Sequence, residues 1–230
     1  MEKKIAISQS NYIPWKGYFD MISYVDEFIL YDDMQYTKRD WRNRNKIKTS
    51  DECRWLTIPV KVKGKYYQKI RNTEIDGSQW KKKHWGSIQQ NYKKSPFFNE
   101  ISNILKPLYD KEHYLLSECN EDFIRSICNY LSIDTIINSS SEYELIEGKS
   151  EKLLNICLQA GATEYVSGPA AKDYLDEKIF IEAGIKVTWF SYDNYPEYKQ
   201  LWGDFNHYLS IIDLLFNQGK DSYKFMKFVR

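Results

Sequence analysis

Two polar and aromatic stretches near the start of the chain hold the residues best suited to chemistry, one over residues 8–20 and one over 32–45. Between them they are rich in Tyr, Trp, Asn, Gln, Asp and Arg, whose side chains combine flat surfaces with fixed hydrogen-bonding groups. This composition is more typical of a binding site than of a core. The candidate substrate-binding residues in these stretches are Gln9, Asn11, Tyr12, Trp15, Gln35, Tyr36, Trp41, Arg42 and Arg44.

The second stretch alternates cationic and amide side chains from residue 38 to residue 48. A guanidinium offers a planar fork that suits phosphate or carboxylate, so Arg42 and Arg44 are predicted to hold a diphosphate. Trp41 or Tyr36 would stack on a base or a sugar. The alternative is a solvated basic loop, with some affinity for RNA.

His84 and Asp33 are the candidate catalytic residues. His84 lies between Trp80 and Trp85 in a basic, aromatic neighbourhood. Because an unperturbed imidazole titrates near neutrality, His84 could take a proton from an amine nucleophile. A partly buried structural histidine is an equally open interpretation. Asp33, together with Gln35 and Asn11, would orient the hydroxyl groups of a substrate.

The elements that would position these residues form a βαβ unit. The β-branched, apolar run after Lys4 predicts a strand, and residues 15–24 predict a helix. Residues 27–31 predict a second strand, which ends at Asp32 and Asp33. The polar residues therefore follow the carboxyl ends of two parallel strands, where open α/β sheets bind ligands.

The rest of the chain predicts a continuing parallel sheet with added helices. Ser167 follows a short strand as Gln9 does, and it is a further candidate binding residue. The fold class is α/β, with a Rossmann-like, mostly parallel sheet, in a single domain over 1–230 with a possible weak subdivision into 1–147 and 148–230. Strands are predicted over 54–62, 68–75, 135–139, 165–169 and 185–190, and helices over 78–92, 96–114, 121–131, 153–158 and 209–216.

Composition limits the possible functions. The 230-residue chain has a net charge of +1, so no global field attracts it to nucleic acid or to anionic lipid. Its four cysteines have no metal-binding spacing, so we predict no thiolate metal site and assign no metal ligands, while a metal between Asp32 and Asp33 stays open. No apolar run is long enough for a membrane span or the core of a signal peptide, so we expect no membrane insertion and a location in the cytoplasm.

Several separated motifs together resemble the WbqC-like family, over nearly the whole chain. The motifs are residues 7–20, Asp32-Asp33-Met34-Gln35-Tyr36, residues 39–45, Lys83-His84-Trp85, Tyr165-Val166-Ser167-Gly168-Pro169 and residues 210–215. Genes of that family usually lie among bacterial genes for O-antigen and related surface sugars. The resemblance implies an acyltransferase that N-acylates a nucleotide-linked amino sugar, for example with a glycyl group, in lipopolysaccharide biosynthesis.

The acyl donor stays open between aminoacyl-tRNA, ATP with an amino acid, and acyl-CoA, and no tightly bound cofactor is expected. A nucleotide sugar is the expected small-molecule partner. One alternative function is a non-catalytic protein that binds a sugar nucleotide or glycan within a biosynthetic complex. A second is an RNA-binding module built on residues 38–48, whose affinity would depend steeply on salt.

Overall fold

A computed structural model describes residues 2–229. It consists of a parallel sheet with helices on both faces and a separate two-stranded hairpin. In chain order the strands and helices are β1 (Lys4–Ser8), α1 (Lys16–Tyr24), β2 (Glu27–Leu30), β3 (Arg44–Lys48), β4 (Cys53–Thr57), α2 (Gln79–Tyr92), α3 (Phe98–Asp110), α4 (Leu116–Tyr130), β5 (Ile136–Ser139), α5 (Ser150–Gln159), β6 (Glu164–Ser167), α6 (Glu177–Glu182), β7 (Lys186–Trp189) and α7 (Ile211–Gln218).

The parallel sheet has five strands in the order β5-β2-β1-β6-β7. The chain runs outward from β1 through β2 to β5, then crosses to the other side of β1 and continues through β6 to β7. The direction of winding reverses between β1 and β6, which makes that position the topological switch point of the sheet. This order confirms the predicted Rossmann-like α/β fold.

Alternate residues of β1 pack on opposite faces of the sheet, as the two-residue period of a strand requires. Ile5 and Ile7 belong to a core that contains Ile156 of α5 and Phe180 of α6. Ala6 belongs to the larger core on the other face, together with Phe19 of α1. Because β1 pairs with β6, the sheet includes strands from both sides of position 147, while the weak subdivision there stays a prediction.

The second half of the predicted basic loop over 38–48 is a β-strand. Arg44–Lys48 pairs with Cys53–Thr57 in an antiparallel hairpin, and Ile47 and Leu56 turn its inner face into the core. The expected strand over 54–62 therefore ends at Thr57. The sequence analysis missed this hairpin because the inward position 45 holds a polar Asn, so that Ile47 is the one apolar residue of β3.

The expected strand over 68–75 is absent from the described residues, which place only a helical turn, Ile70–Asn72, and single bridges there. Ile70 is buried, whereas its neighbours Lys69 and Arg71 reach Asp33. Helix α4 begins at Leu116, ahead of the predicted start at residue 121, because Leu116 and Cys119 continue its apolar stripe. Within residues 2–229, no helix has the length and apolar character needed to cross a bilayer.

Helix α7 carries a carboxylate into the core. Asp213 is buried, and its two oxygens accept hydrogen bonds from the hydroxyls of Tyr92, at 2.8 Å, and Tyr198, at 2.7 Å. Burial raises the pKa of Asp213, and the two hydroxyl donors oppose that shift. The Tyr92 oxygen also accepts the backbone N–H of Lys48 at 3.0 Å. This network therefore joins α2, α7 and the hairpin.

We expect Tyr92→Phe to lower the free energy of unfolding by about 2 kcal/mol, because it leaves a buried carboxylate oxygen and a buried N–H without partners. Tyr198→Phe is the matched control, since it removes one donor to the same carboxylate from a residue that is 9% exposed. It should cost about 1 kcal/mol. Urea denaturation of both variants measures the difference, and equal costs would contradict the linking role of Tyr92.

Candidate functional site

The carboxyl ends of β1 and β6 open into a cavity of about 540 Å³ at the switch point of the sheet. Ser8 and Gln9 line one side of this cavity, and Ser167 and Gly168 line the other. Open α/β sheets bind ligands at this position, because the connections on its two sides leave in opposite directions. The volume suits a small organic ligand. We name this cavity the switch-point crevice.

Cationic and aromatic side chains complete the crevice. Lys149 directly precedes α5 and Lys152 lies in its first turn, where the helix dipole also favours an anion. Tyr31, Tyr174 and Tyr192 contribute rings to the lining. Burial raises the pKa of Tyr31 to about 12 and raises that of Tyr192 above its ordinary value, so both phenols stay neutral at physiological pH. The lining therefore suits a ligand that joins a phosphate to a flat ring.

A smaller cavity of about 170 Å³ lies beside the crevice. We name it the aromatic pocket, and its lining residues are Asn11, Pro14, Trp15, Trp41, Asn45 and Tyr208. The indole of Trp15 contacts the ring of Tyr192, with centroids 5.2 Å apart. Because Trp15 lines the pocket and Tyr192 lines the crevice, the linings of the two cavities are in contact at this ring pair.

A strained turn separates the residues that face the pocket from those that face the core. Ile13 has φ 36°, which is unfavourable for a β-branched residue. Its carbonyl accepts hydrogen bonds from Asn45 Nδ2 at 2.8 Å and from Ser210 Oγ at 2.7 Å. Asn45 also donates to the carbonyl of Tyr12 at 3.2 Å. With this turn held, Asn11 lines the pocket while the Tyr12 ring is buried.

Gly17 leaves room for the Trp15 side chain. The indole folds back over the first turn of α1, and a methyl group at residue 17 would overlap its ring atoms. The backbone of residue 17 is helical, so the requirement for glycine comes from this contact and not from the backbone conformation. The position of the Trp15 ring in the aromatic pocket therefore depends on Gly17.

We expect Gly17→Ala to have opposite effects in two backgrounds. With Trp15 present, the methyl group displaces the indole and lowers both stability and ligand affinity. In a Trp15→Ala background the overlap disappears, and the same change should raise the free energy of unfolding by about 1 kcal/mol through helix propensity. A thermal-denaturation double-mutant cycle tests this coupling, and additive effects would refute it.

The two consecutive aspartates have internal partners. Asp32 is buried and accepts the backbone N–H of Ser10 at 2.8 Å, and burial raises its pKa. Asp33 accepts a hydrogen bond from Ser140 Oγ at 3.0 Å and pairs with Lys69 at 2.8 Å and Arg71 at 3.3 Å. Neither residue is among those that line the crevice or the pocket. The geometry gives both carboxylates a structural role.

His84 is buried in the aromatic core and lies outside the crevice and the aromatic pocket, although it lines a separate cavity of about 530 Å³. Its Nε2 is 3.1 Å from the carbonyl oxygen of Thr57, which can only accept, so Nε2 carries the proton. Its Nδ1 then accepts from the Tyr12 hydroxyl at 2.9 Å, and the Tyr12 oxygen is 2.7 Å from the Tyr109 hydroxyl. Burial lowers the pKa of His84 to about 4. Both nitrogens are thus engaged, and the geometry favours a structural histidine over a general base.

The remaining candidates have different surroundings. Arg42 donates to Asn11 Oδ1 beside the aromatic pocket, and Arg44 lies 4.1 Å over the ring of Trp55. Tyr36 is buried in the core, and Gln35 is exposed and donates to the carbonyl of Tyr66. Arg42 and Arg44 therefore have different contacts within the protein, and their binding of a diphosphate stays a prediction.

In total, the structure brings Gln9 and Ser167 together in the crevice, and Asn11, Trp15 and Trp41 together in the pocket. The sequence analysis missed several lining residues, of which Lys149, Lys152, Tyr31, Tyr174, Tyr192, Asn45 and Tyr208 matter most. The run Gly148-Lys149-Ser150 between a predicted strand and a predicted helix was an available signal for the two lysines.

The buried His84 gives stability a specific pH dependence. Its ordinary pKa of 6.5 applies to the unfolded chain, and the folded value is about 4. Between these values the unfolded state binds the extra proton, so acid favours unfolding and stability falls as the pH falls from 6.5 to 4. The full loss from this group is about 3 kcal/mol.

His84→Gln keeps a hydrogen-bond donor but does not titrate, so it should flatten this part of the profile. The measurement is urea unfolding of both proteins across that pH range. Identical slopes would show that His84 titrates normally in the folded protein.

Comparison with known proteins connects this site to a family. The profile of the WbqC-like protein family matches residues 9–225. A protein of Mycobacterium tuberculosis (strain ATCC 25618 / H37Rv), named only as uncharacterised, is 56% identical over 229 residues, which cover 99% of each chain. No solved structure matches the chain significantly. The matched range includes every lining residue of the aromatic pocket, and every lining residue of the crevice except Ile7 and Ser8.

Proposed function

The chain belongs to the WbqC-like protein family, and from this membership and its two adjoining cavities we propose that it is an acyltransferase. Its acceptor is a nucleotide-linked amino sugar, which it N-acylates with an aminoacyl group such as glycyl during surface-polysaccharide biosynthesis. The observation that carries the proposal is the switch-point crevice with two lysines beside the α5 amino terminus. The four free cysteines agree with a place in the reducing cytoplasm.

The crevice supports the acceptor part of the proposal. A sugar nucleotide joins a base and a sugar through a diphosphate, and the lining offers a matching group for each part. Lys149 and Lys152 would bind the diphosphate beside the helix dipole. Tyr31 and Tyr174 would stack on flat rings, and Gln9 and Ser167 would bind sugar hydroxyls.

The aromatic pocket supports the donor part. An acyl group held between Trp15 and Trp41 would lie next to the crevice, because Trp15 contacts Tyr192 of the crevice lining. Asn11 accepts from Arg42 through Oδ1, which leaves its amide N–H groups for a ligand. They would donate to the acyl carbonyl oxygen as negative charge develops on it.

The reaction forms one C–N bond and breaks one bond from the acyl carbon to its leaving group. The amine nitrogen attacks the carbonyl carbon, the leaving oxygen or sulfur departs with the bonding electrons, and the proton lost from nitrogen ends on the leaving atom. His84 is not assigned the proton transfer, because both of its ring nitrogens are bonded in the core. Placing the amine against an activated acyl group supplies the rate enhancement.

A non-catalytic sugar-nucleotide-binding protein is the second candidate. It is favoured by one observation: among the described residues that line the two cavities, none is a carboxylate or an imidazole. Such a protein would bind the same ligand in the same crevice, with the same dependence on Lys152. Only a measurement of acyl transfer distinguishes the acyltransferase from the binding protein.

Mass spectrometry of nucleotide-linked amino sugars tests the transferase directly. The protein is incubated with each sugar and one donor at a time: aminoacyl-tRNA, ATP with an amino acid, or acyl-CoA. We expect a mass gain of one acyl group with one donor. Binding of the sugar nucleotide without any gain would favour the binding protein.

Lys152→Met should weaken sugar-nucleotide affinity on the order of tenfold, the loss of one charge-assisted phosphate contact. Lys178→Met is the matched control, because Lys178 is an exposed lysine at the start of α6, away from the crevice. Isothermal titration calorimetry measures both. Equal affinities of the two variants would refute the proposed position of the diphosphate beside the amino terminus of α5.

A further inference from the structure

The outer face of the β3–β4 hairpin presents aromatic rings and cations together. Lys46 and Trp55 are register partners on this face, and the inner face is closed by buried residues. Trp41 lies against Trp55, with ring centroids 5.5 Å apart, and the two side chains are 43% and 38% exposed. We name the set Trp41, Arg44, Lys46 and Trp55 the tryptophan platform.

The cations of the platform pack on a ring and have no acidic partner. The guanidinium of Arg44 lies 4.1 Å from the Trp55 ring centroid, and the ammonium of Lys46 lies 4.9 Å from it. No carboxylate of residues 2–229 forms an ion pair with either side chain. Their charge is therefore available to an anionic ligand.

The surrounding segment concentrates the positive charge of the chain. Residues 38–71 contain twelve Lys and Arg residues and three Asp and Glu residues, a net charge of +9 in a chain whose total is +1. Lys61, Lys65, Lys69 and Arg71 pair with Glu74 or Asp33, but the platform cations do not. A local field of this sign attracts polyanions, although the net charge of the whole protein is almost balanced.

The platform is continuous with the aromatic pocket. Trp41 belongs to both, and Asn45 lines the pocket from the inner face of β3. A flexible polyanion whose bases stack on the platform would therefore reach the pocket with its end. Stacked aromatic rings with adjacent cations are the surface that single-stranded nucleic acids bind.

We propose that the tryptophan platform binds the unpaired 3′ end of an RNA that carries the acyl group as a ribose ester, and directs that ester into the aromatic pocket. The role of the ester depends on the proposed function, whereas the binding of RNA does not. The amine of the acceptor attacks the ester carbonyl, the carbon–oxygen bond to the ribose breaks, and the ribose hydroxyl leaves with the proton from the amine. No further reactant is needed.

Two features favour RNA over a single activated nucleotide such as CoA. Two indoles offer stacking surface for successive bases, and the cationic segment extends beyond the platform to further exposed rings at Tyr66 and Tyr67. A single nucleotide would leave most of this surface empty. The platform shares Trp41 with the pocket, whereas the crevice adjoins the pocket through the contact of Trp15 with Tyr192, so donor and acceptor do not compete for one cavity.

Fluorescence anisotropy of labelled RNA tests the platform without any turnover. The probes are an RNA stem–loop with an unpaired 3′ overhang and the same stem–loop with a blunt end. We expect tighter binding of the overhang, and Trp55→Ala should weaken it on the order of tenfold. Trp55→Phe should retain most of the affinity and keeps the test valid if the alanine variant misfolds. Tyr223→Ala, an exposed aromatic outside the platform, is the control.

Salt dependence identifies the charge contribution. Lys46→Ala should reduce the slope of log affinity against log salt by about 0.7, the value for one phosphate contact on a single strand. Lys178→Ala should leave that slope unchanged. Equal binding of overhang and blunt RNA, equal affinities of the Trp55→Ala and Tyr223→Ala variants, or displacement of the RNA by CoA would each overturn the proposal.

The two proposals fail in different ways. RNA binding without acylation from any donor would support the proposed RNA-binding role of the platform and refute the proposed acyltransferase activity. Acylation from acyl-CoA, without binding of the overhang RNA, would support the proposed acyltransferase activity and refute the proposed RNA-binding role of the platform.

Discussion

The strained backbone at Ile13 is the constraint on which the geometry of both cavities depends. A β-branched residue with φ 36° persists only where its surroundings fix it, and here Asn45 and Ser210 hold its carbonyl. Asn45 belongs to the hairpin and Ser210 directly precedes α7, so two distant parts of the chain converge on one peptide group. Their hydrogen bonds offset the local strain and fix the conformation of the connection between β1 and α1.

The same turn divides one aromatic sequence between two roles. On one side, Tyr12 enters the core and joins His84 and Tyr109 through its hydroxyl. On the other, Asn11 and Trp15 face the pocket, and Gly17 gives the Trp15 ring its space. The high tyrosine content of the chain thus serves both purposes: buried phenols form hydrogen-bonded networks in the core, and others line the crevice.

Patterns of apolar and polar residues along the sequence predicted those parts of the fold that depend on neighbouring residues. The first strand, helix and second strand follow from apolar periodicity, and the positions of Gln9 and Ser167 follow from the rule for parallel strands. The partners of His84 and Asp33 could not be predicted, because Tyr12 and Thr57 are distant in sequence from His84, and Lys69 from Asp33, and they come close only through tertiary packing. Lys149 and Lys152 were missed for a related reason, since a charged run between two elements looks the same whether it faces solvent or a crevice.

The chemistry available in the two cavities explains why positioning must dominate. The residues that line them provide cations, amides, hydroxyls and aromatic rings, all of which hold a ligand better than they exchange protons. A reaction in such a site needs a donor that is already activated, so that the protein has only to align an amine with a carbonyl. Alignment demands that the donor and acceptor cavities keep fixed positions relative to each other. The Trp15–Tyr192 ring contact links the linings of the two cavities, and the turn at Ile13, held by Asn45, lies just before Trp15 in the β1–α1 connection.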